Sequence, residues 1–84
     1  MKIYYFTFRS VTHAQRGEQM LNQSGIRAVM LRTPKWMENQ GCGYSLRIRT
    51  GDPHAISRQL KEKGLQFRRI YLQNPDGTLE EVVL

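Results

Sequence analysis

The sequence predicts an α+β domain in which two helices pack on one side of an antiparallel sheet. Two segments of helical pattern each lie between apolar, strand-like segments, and Gly25 and Gly64 mark where the two helices end. Residues 44–49 alternate between apolar and polar side chains, which is typical of a strand buried on one face only. The chain has 84 residues, so we expect one domain with a single core.

The first half of the chain predicts a strand, a helix and a second strand. Lys2–Phe8 is rich in aromatic and β-branched residues and predicts the first strand. Thr12 is expected to cap the first helix, because Gln15 three residues later completes a capping-box pattern. The helix is expected to reach about Ser24. The apolar, β-branched segment Ile26–Arg32 predicts the second strand.

The second half repeats this order after a loop. The alternating strand comes first, and Asp52 is then expected to cap the second helix, with Pro53 in its first turn. Gln66–Gln73 predicts the last strand of the repeat. Residues 75–84 are expected to begin with a turn and then to form either an extra edge strand or a frayed tail.

The two strand-helix-strand units also predict how the elements assemble. They interleave into one four-stranded antiparallel sheet with both helices on one face, which is the ferredoxin-like arrangement. In this topology the first helix starts at the same edge of the sheet as the loop between the second and third strands. Residues from both helices should therefore face the loop around Cys42: Arg9, Ser10, Thr12 and His13 at the first helix, and Lys61 and Lys63 at the second.

Composition limits the partners and the compartment. Thirteen Lys and Arg oppose seven Asp and Glu, giving a net charge of +6 without the block of like charges typical of a basic arm. This charge indicates an anionic partner, such as a nucleic acid, a nucleotide or an acidic protein face, or simply a solvated surface. No apolar run reaches membrane-spanning length, and no leader precedes the first strand. Since one cysteine cannot form an internal disulfide, we expect a cytoplasmic protein.

Cys42 is the residue expected to carry the function. Carrier or nucleophilic chemistry at sulfur needs a thiolate, and a helix N-terminus with nearby cations lowers a cysteine pKa from about 8.5 to between roughly 3.5 and 7.5. Flanking glycines permit positive φ and leave the sulfur accessible to a persulfide, selenide or disulfide. The predicted supporting residues are Gly41, Gly43, Arg9, Ser10, Thr12, His13 and Lys35.

Other interpretations of these residues stay open. A lone cysteine in a small domain is often a buried, inert core residue. His13 is either one half of a Cys–His catalytic pair or an exposed residue of the first helical turn. No metal or cofactor is predicted, because Cys42, His13 and His54 do not make a tetrahedral set when the two histidines lie at opposite ends of the fold.

Several short segments of the chain resemble a family of small bacterial domains, the selenium/sulfur carrier-like proteins. They are Phe8-Arg9-Ser10, His13-Ala14, Glu18, Leu21, Gly25-Ile26, Thr33-Pro34, Cys42-Gly43 and Leu46-Arg47-Ile48. The resemblance covers about the first fifty residues. It implies a carrier or accessory protein rather than an enzyme, whose cysteine holds selenium or sulfur received from a donor protein or passed to an acceptor. The chain departs from the family at Lys35, where arginine is frequent, and at residues 38–41, where small serines are frequent.

Two other classes of function rank below the carrier. An RNA-binding module would stack bases on aromatic residues of the first strand and bind phosphates with Arg47 and Arg49 on an open sheet face. The aromatic residues in question are Tyr4, Tyr5, Phe6 and Phe8. A homodimer would instead bury apolar groups of that face, contributed by Tyr5 or Phe6 and by Val29 or Leu31. Dimerisation is compatible with the carrier and needs no nucleic acid.

Overall fold

A computed structural model of the chain describes residues 1–34 and 43–84. The elements are β1 (Lys2–Phe8), α1 (Val11–Gln23), β2 (Ala28–Arg32), β3 (Tyr44–Thr50), α2 (Pro53–Glu62), β4 (Ile70–Gln73) and β5 (Leu79–Val82). The five strands form one antiparallel sheet in the order β2-β3-β1-β4-β5. The predicted α+β class with two helices is therefore confirmed.

The predicted number of four strands is wrong, because β5 adds a fifth. It pairs with β4, and Tyr71 lies opposite Glu81 in this hairpin. The connecting turn is held by Asp76, whose carboxylate accepts hydrogen bonds from the backbone N–H and the hydroxyl of Thr78, at 3.0 and 2.6 Å. These bonds lower the pKa of the Asp76 carboxyl. Gly77 completes the turn with a φ of 87°, a conformation that favours glycine.

One face of the sheet carries the core. Because cross-strand partners point to the same side, Phe6, Leu46 and Ile70 lie on one face. The side chains of both helices join the same apolar cluster. Its buried members are Tyr4, Phe6, Phe8, Ala14, Leu21, Ala28, Leu46, Ile48, Ile56, Leu60, Leu65 and Ile70. The other face of the sheet is left without a covering helix among the described residues.

Helix α1 packs closely against this core and also covers the β2 edge. A Cβ added at Gly17 would lie 3.0 Å from a side-chain carbon of Leu46, so any larger residue would force that side chain to shift. The Glu18 carboxylate accepts a hydrogen bond from the Met30 N–H at 2.7 Å. Asn22 pairs with both backbone groups of Ala28. These side chains form hydrogen bonds with outward-facing backbone N–H and C=O groups of the edge strand β2, and this blocks the addition of a further strand there.

Three predicted element starts are corrected by the structure, the first being that of β2, which begins at Ala28 rather than at Ile26. Thr12 is not the N-cap of α1: Ser10 has an extended backbone, its hydroxyl accepts from the His13 N–H at 3.2 Å, and the helix begins at Val11. The last strand of the repeat begins at Ile70 rather than at Gln66. Ahead of it, Arg68 and Arg69 both oppose Thr7, which is the arrangement of a β-bulge and interrupts regular pairing.

Candidate functional site

Five of the eight predicted site residues lie in the described part of the chain, and three do not. Lys35, Gly41 and Cys42 lie outside the described residues. The described ones are Arg9, Ser10, Thr12, His13 and Gly43. The structure therefore defines the surroundings of the two chain ends that lead to the cysteine.

Those two ends meet at one edge of the sheet. The Thr33 N–H donates to the Gly43 carbonyl at 3.0 Å, which continues the β2–β3 ladder beyond Arg32 and Tyr44. Tyr44 also lies opposite Phe8 at the end of β1. The residue after Cys42 thus lies one step from the end of the central strand, as the topology predicts.

The N-terminus of α1 lies at this same edge. Arg9 and Ser10 directly follow β1, and Ser10 caps the helix. The cap satisfies the His13 N–H, and no acidic side chain occupies the first turn. By helical geometry the N–H groups of Val11 and Thr12 have no acceptor within the helix. The first turn therefore presents the positive end of the helix dipole together with backbone donors that the helix itself does not pair.

His13 has a structural partner that neither sequence interpretation includes. Its half-buried ring accepts a hydrogen bond at Nδ1 from the Gln66 N–H, at 3.1 Å. This bond joins the first turn of α1 to the segment that follows α2, so the predicted meeting of these ends is confirmed. A neutral imidazole that accepts at Nδ1 carries its proton on Nε2. The Nδ1 lone pair of His13 is therefore engaged by the backbone of Gln66.

Basic side chains surround the edge, and some of them contact aromatic rings. Arg9 is exposed. The Arg32 guanidinium lies 5.6 Å from the centre of the Tyr44 ring, a cation–π contact on the strand that leads to the cysteine segment. Lys61, near the end of α2, lies 5.8 Å from the centre of the Phe67 ring. Arg32 is a basic residue of this edge that sequence analysis did not select.

Two buried hydroxyl groups near this edge were also missed. Within residues 1–34 and 43–84, Thr33 Oγ1 and Ser45 Oγ are buried and have no hydrogen-bond partner. Thr7 is buried beside them, opposite Ser45, but its hydroxyl accepts from the Arg69 N–H at 3.0 Å. The alternation of residues 44–49 assigns Ser45 to the face opposite the core, and strand periodicity alone cannot show that this position is closed to solvent. Both hydroxyls are close to Gly43 along the strands: Thr33 is its backbone hydrogen-bond partner, and Ser45 follows it by two residues.

The open sheet face offers less to RNA than the sequence suggests. Three aromatic residues of β1, namely Tyr4, Phe6 and Phe8, belong to the buried core. Tyr5 lies on the other face, opposite Tyr71, and its hydroxyl donates to Gln73 at 3.0 Å. Of the four aromatic residues predicted to stack on bases, the three buried ones therefore cannot do so.

Neither helix in the described ranges is long and apolar enough to cross a membrane. The same ranges contain no group of three or more His, Cys, Asp or Glu side chains positioned to hold a metal ion.

Comparison with known proteins gives one match. A family model described as "Putative Se/S carrier protein-like" matches residues 3–72. The match includes both helices, the segment that contains Cys42 and strands β1 to β4, except for Lys2 at the start of β1 and Gln73 at the end of β4. No curated protein and no solved structure matches the chain.

Proposed function

The chain belongs to the Se/S carrier-like family, and from that premise we propose that Cys42 carries a sulfur or selenium atom between a donor protein and an acceptor protein. The carried atom is held as a persulfide or its selenium analogue. The protein acts as a carrier or accessory component. Cys42 is the residue that bonds to the carried atom, and the other residues of the edge position and ionise it.

The reaction is a redox-neutral transfer. The Cys42 thiolate attacks the terminal sulfur of a donor persulfide, R–S–SH, and the bond between the two donor sulfurs breaks. Cys42–S–SH forms and the donor leaves as the thiolate R–S⁻, so atoms, charge and electrons balance without an oxidant. A donor of the form R–S–SeH reacts in the same way. Attack of an acceptor thiolate on the outer atom of Cys42–S–SH reverses the sequence and releases the cargo.

One observation carries the proposal beyond the family match: Gly43 is paired into the sheet directly beside the end of β1. Tyr44 lies opposite Phe8, so Gly43 comes one residue before the last β1–β3 pair, and Phe8 lies two residues before the N-cap Ser10. The described end of this segment, at Gly43, lies at the same edge of the sheet as the N-terminus of α1, whose first turn carries no acidic side chain. Such an environment favours the thiolate that the transfer requires.

The buried hydroxyls support the same proposal. An unpaired buried donor costs about 1–3 kcal/mol, so a stable domain gains from any acceptor that reaches it. Thiolate and persulfide sulfur are both acceptors. Thr33 directly follows β2 and Ser45 lies on β3, so the two hydroxyls lie on either side of the segment with Cys42 along the chain.

Three further points belong to this proposal. We assign the fold to the ferredoxin-like class with one added edge strand, since the order β2-β3-β1-β4 is that of two interleaved strand-helix-strand units. We expect the cytoplasm as compartment, where a single cysteine stays reduced. A homodimer through the open sheet face remains a prediction, which light scattering at high protein concentration tests.

A persulfide-loading experiment tests the function. The reduced protein is incubated with glutathione persulfide, freed of small molecules, and analysed by intact-protein mass spectrometry. We expect one added sulfur atom per chain, its loss on treatment with dithiothreitol, and no addition to Cys42→Ser. A wild-type protein that gains no sulfur, or a Cys42→Ser variant that gains the same amount, would contradict the proposal.

A further inference from the structure

A second site lies on the sheet face opposite the helices. A cavity of about 250 Å³ opens there, and five residues from three strands or their ends line it: Ile3, Arg27, Val29, Arg47 and Arg49. It is separate from the predicted cysteine site. Arg47 and Arg49 lie four and six residues along β3 from Gly43, which corresponds to about 13 and 20 Å at the rise of an extended strand.

Strand register brings the three arginines together. The Arg49 N–H donates to the Arg27 carbonyl at 3.1 Å, so these two residues are direct neighbours across the β2–β3 pair. Arg47 lies two residues before Arg49 and therefore projects to the same face. The aliphatic residues complete the pattern, because Ile3 lies opposite Arg49 and Val29 lies opposite Arg47.

The charges of this cluster are not neutralised by the described part of the protein. No carboxylate lines the cavity. In residues 1–34 and 43–84 the ion pair is between Arg69 and Glu81. It lies near the β5 edge of the sheet, whereas the cavity lies near the β2 edge. Like charges directly opposite each other on adjacent strands destabilise a sheet. Arg27 and Arg49 form such a pair, and a bound anion would convert their repulsion into attraction.

We propose that this arginine cleft, formed by Arg27, Arg47 and Arg49, binds a phosphate-type oxyanion, either free phosphate or the phosphate group of a small organic ester. The planar guanidinium fork matches the oxygen geometry of phosphate and donates paired hydrogen bonds. Three cations around one cavity suit a doubly charged group better than a single carboxylate. The cavity volume restricts the ligand to a small molecule.

The aliphatic lining distinguishes the two sources of phosphate. Ile3 is half-buried and Val29 is 42% exposed, so both offer apolar surface beside the guanidinium groups. Free phosphate does not use this surface. The organic part of an ester packs on it and gains the free energy of apolar burial.

The site is tested by titrating ¹⁵N-labelled protein with inorganic phosphate and, separately, with phenyl phosphate, at constant ionic strength set with chloride. We expect saturable shifts of the amide signals of the residues that line the arginine cleft. Arg27→Gln and Arg49→Gln should each weaken the affinity by about tenfold or more, because each removes a charged hydrogen-bond donor. Arg58→Gln, on exposed α2 surface, removes the same charge and serves as the matched control.

The outcomes are distinct. Tighter binding of phenyl phosphate that Val29→Ala removes identifies an ester as the ligand class, whereas equal affinities identify free phosphate. The absence of saturable shifts with phosphate at constant ionic strength, or an equal affinity loss in Arg27→Gln and Arg58→Gln, would overturn the proposal. Cys42→Ser should bind phosphate as the wild type does. The phosphate site is therefore tested independently of the carrier function.

Discussion

The backbone N–H of Thr33 donates to the carbonyl of Gly43 at 3.0 Å, and this bond joins the two chain ends between which Cys42 lies. The segment therefore leaves and re-enters the sheet at neighbouring positions, next to the end of β1 and the cap of α1.

Substitution of the helix cap should affect both stability and thiol chemistry. Ser10→Ala removes the acceptor of the His13 N–H, and loss of such a cap costs about 1 kcal/mol. For a domain of this size that lowers the melting temperature by roughly 4–8 °C. Alkylation of Cys42 at pH 6 should slow as well, because the first turn frays. Thr12→Ala is the control: Thr12 is exposed and within the helix, so neither quantity should change measurably.

The His13–Gln66 bond should be structural rather than catalytic. His13→Ala leaves the Gln66 N–H without its acceptor, so we expect a loss of about 0.5–1.5 kcal/mol in the free energy of unfolding. Amide hydrogen exchange at Gln66 should accelerate. The rate of sulfur transfer to Cys42 at saturating donor should be retained. A large loss of transfer rate in a variant that remains folded would show that His13 acts on the thiol.

The buried hydroxyls should differ in their contributions to stability. Thr7→Val removes the oxygen that the Arg69 N–H donates to, and an unsatisfied buried donor costs about 1–3 kcal/mol. Ser45→Ala removes a hydroxyl without a partner in the described part of the chain, so urea unfolding should give an unchanged or slightly higher free energy. If Ser45 serves the cysteine, the same variant should lose persulfide once loaded more quickly than wild type. A strongly destabilised Ser45→Ala would show that its hydroxyl already has a structural partner.

Closure of the helix against the sheet should be sensitive to a single methyl group. Gly17→Ala places a Cβ 3.0 Å from Leu46 and 3.2 Å from Leu60, closer than carbon atoms normally approach. Overpacking of this kind costs about 1–3 kcal/mol, which should exceed the gain of about 1 kcal/mol from the higher helix propensity of alanine. Gln19→Ala, at an exposed position of α1, is the control and should be close to neutral.

Local sequence signals predicted the type and order of the secondary-structure elements. The wrong predictions concern where elements begin and how many strands pair, which depend on contacts between distant parts of the chain. Ser10 and Thr12 are both able to cap a helix, and the extended backbone at Ser10 selects it. The start of β4 depends on a bulge opposite Thr7, sixty residues earlier in the chain, which no local pattern reveals. The fifth strand was one of two alternatives for the last residues, and its pairing with β4 depends on the turn at Asp76.

The candidate site was predicted as a region but not in its contacts. Interleaved topology was sufficient to bring Arg9, Ser10 and Gly43 to one edge, because parallel and antiparallel strand directions follow from element order. The partner of His13 and the burial of Ser45 depend on which atoms meet across distant segments. The pairing of Arg27 with Arg49 likewise depends on strand register, which is why the sequence-based prediction named Arg47 and Arg49 as phosphate ligands but not Arg27.

The pH dependence of Cys42 alkylation tests the central claim most directly. Second-order rates of reaction with iodoacetamide are measured from pH 4 to pH 10 for the wild type and for a short unstructured peptide that contains one cysteine. We predict a midpoint below pH 7 for the protein, against about 8.5 for the peptide. A protein midpoint equal to that of the peptide, or a thiol that reacts only after unfolding, would contradict the account.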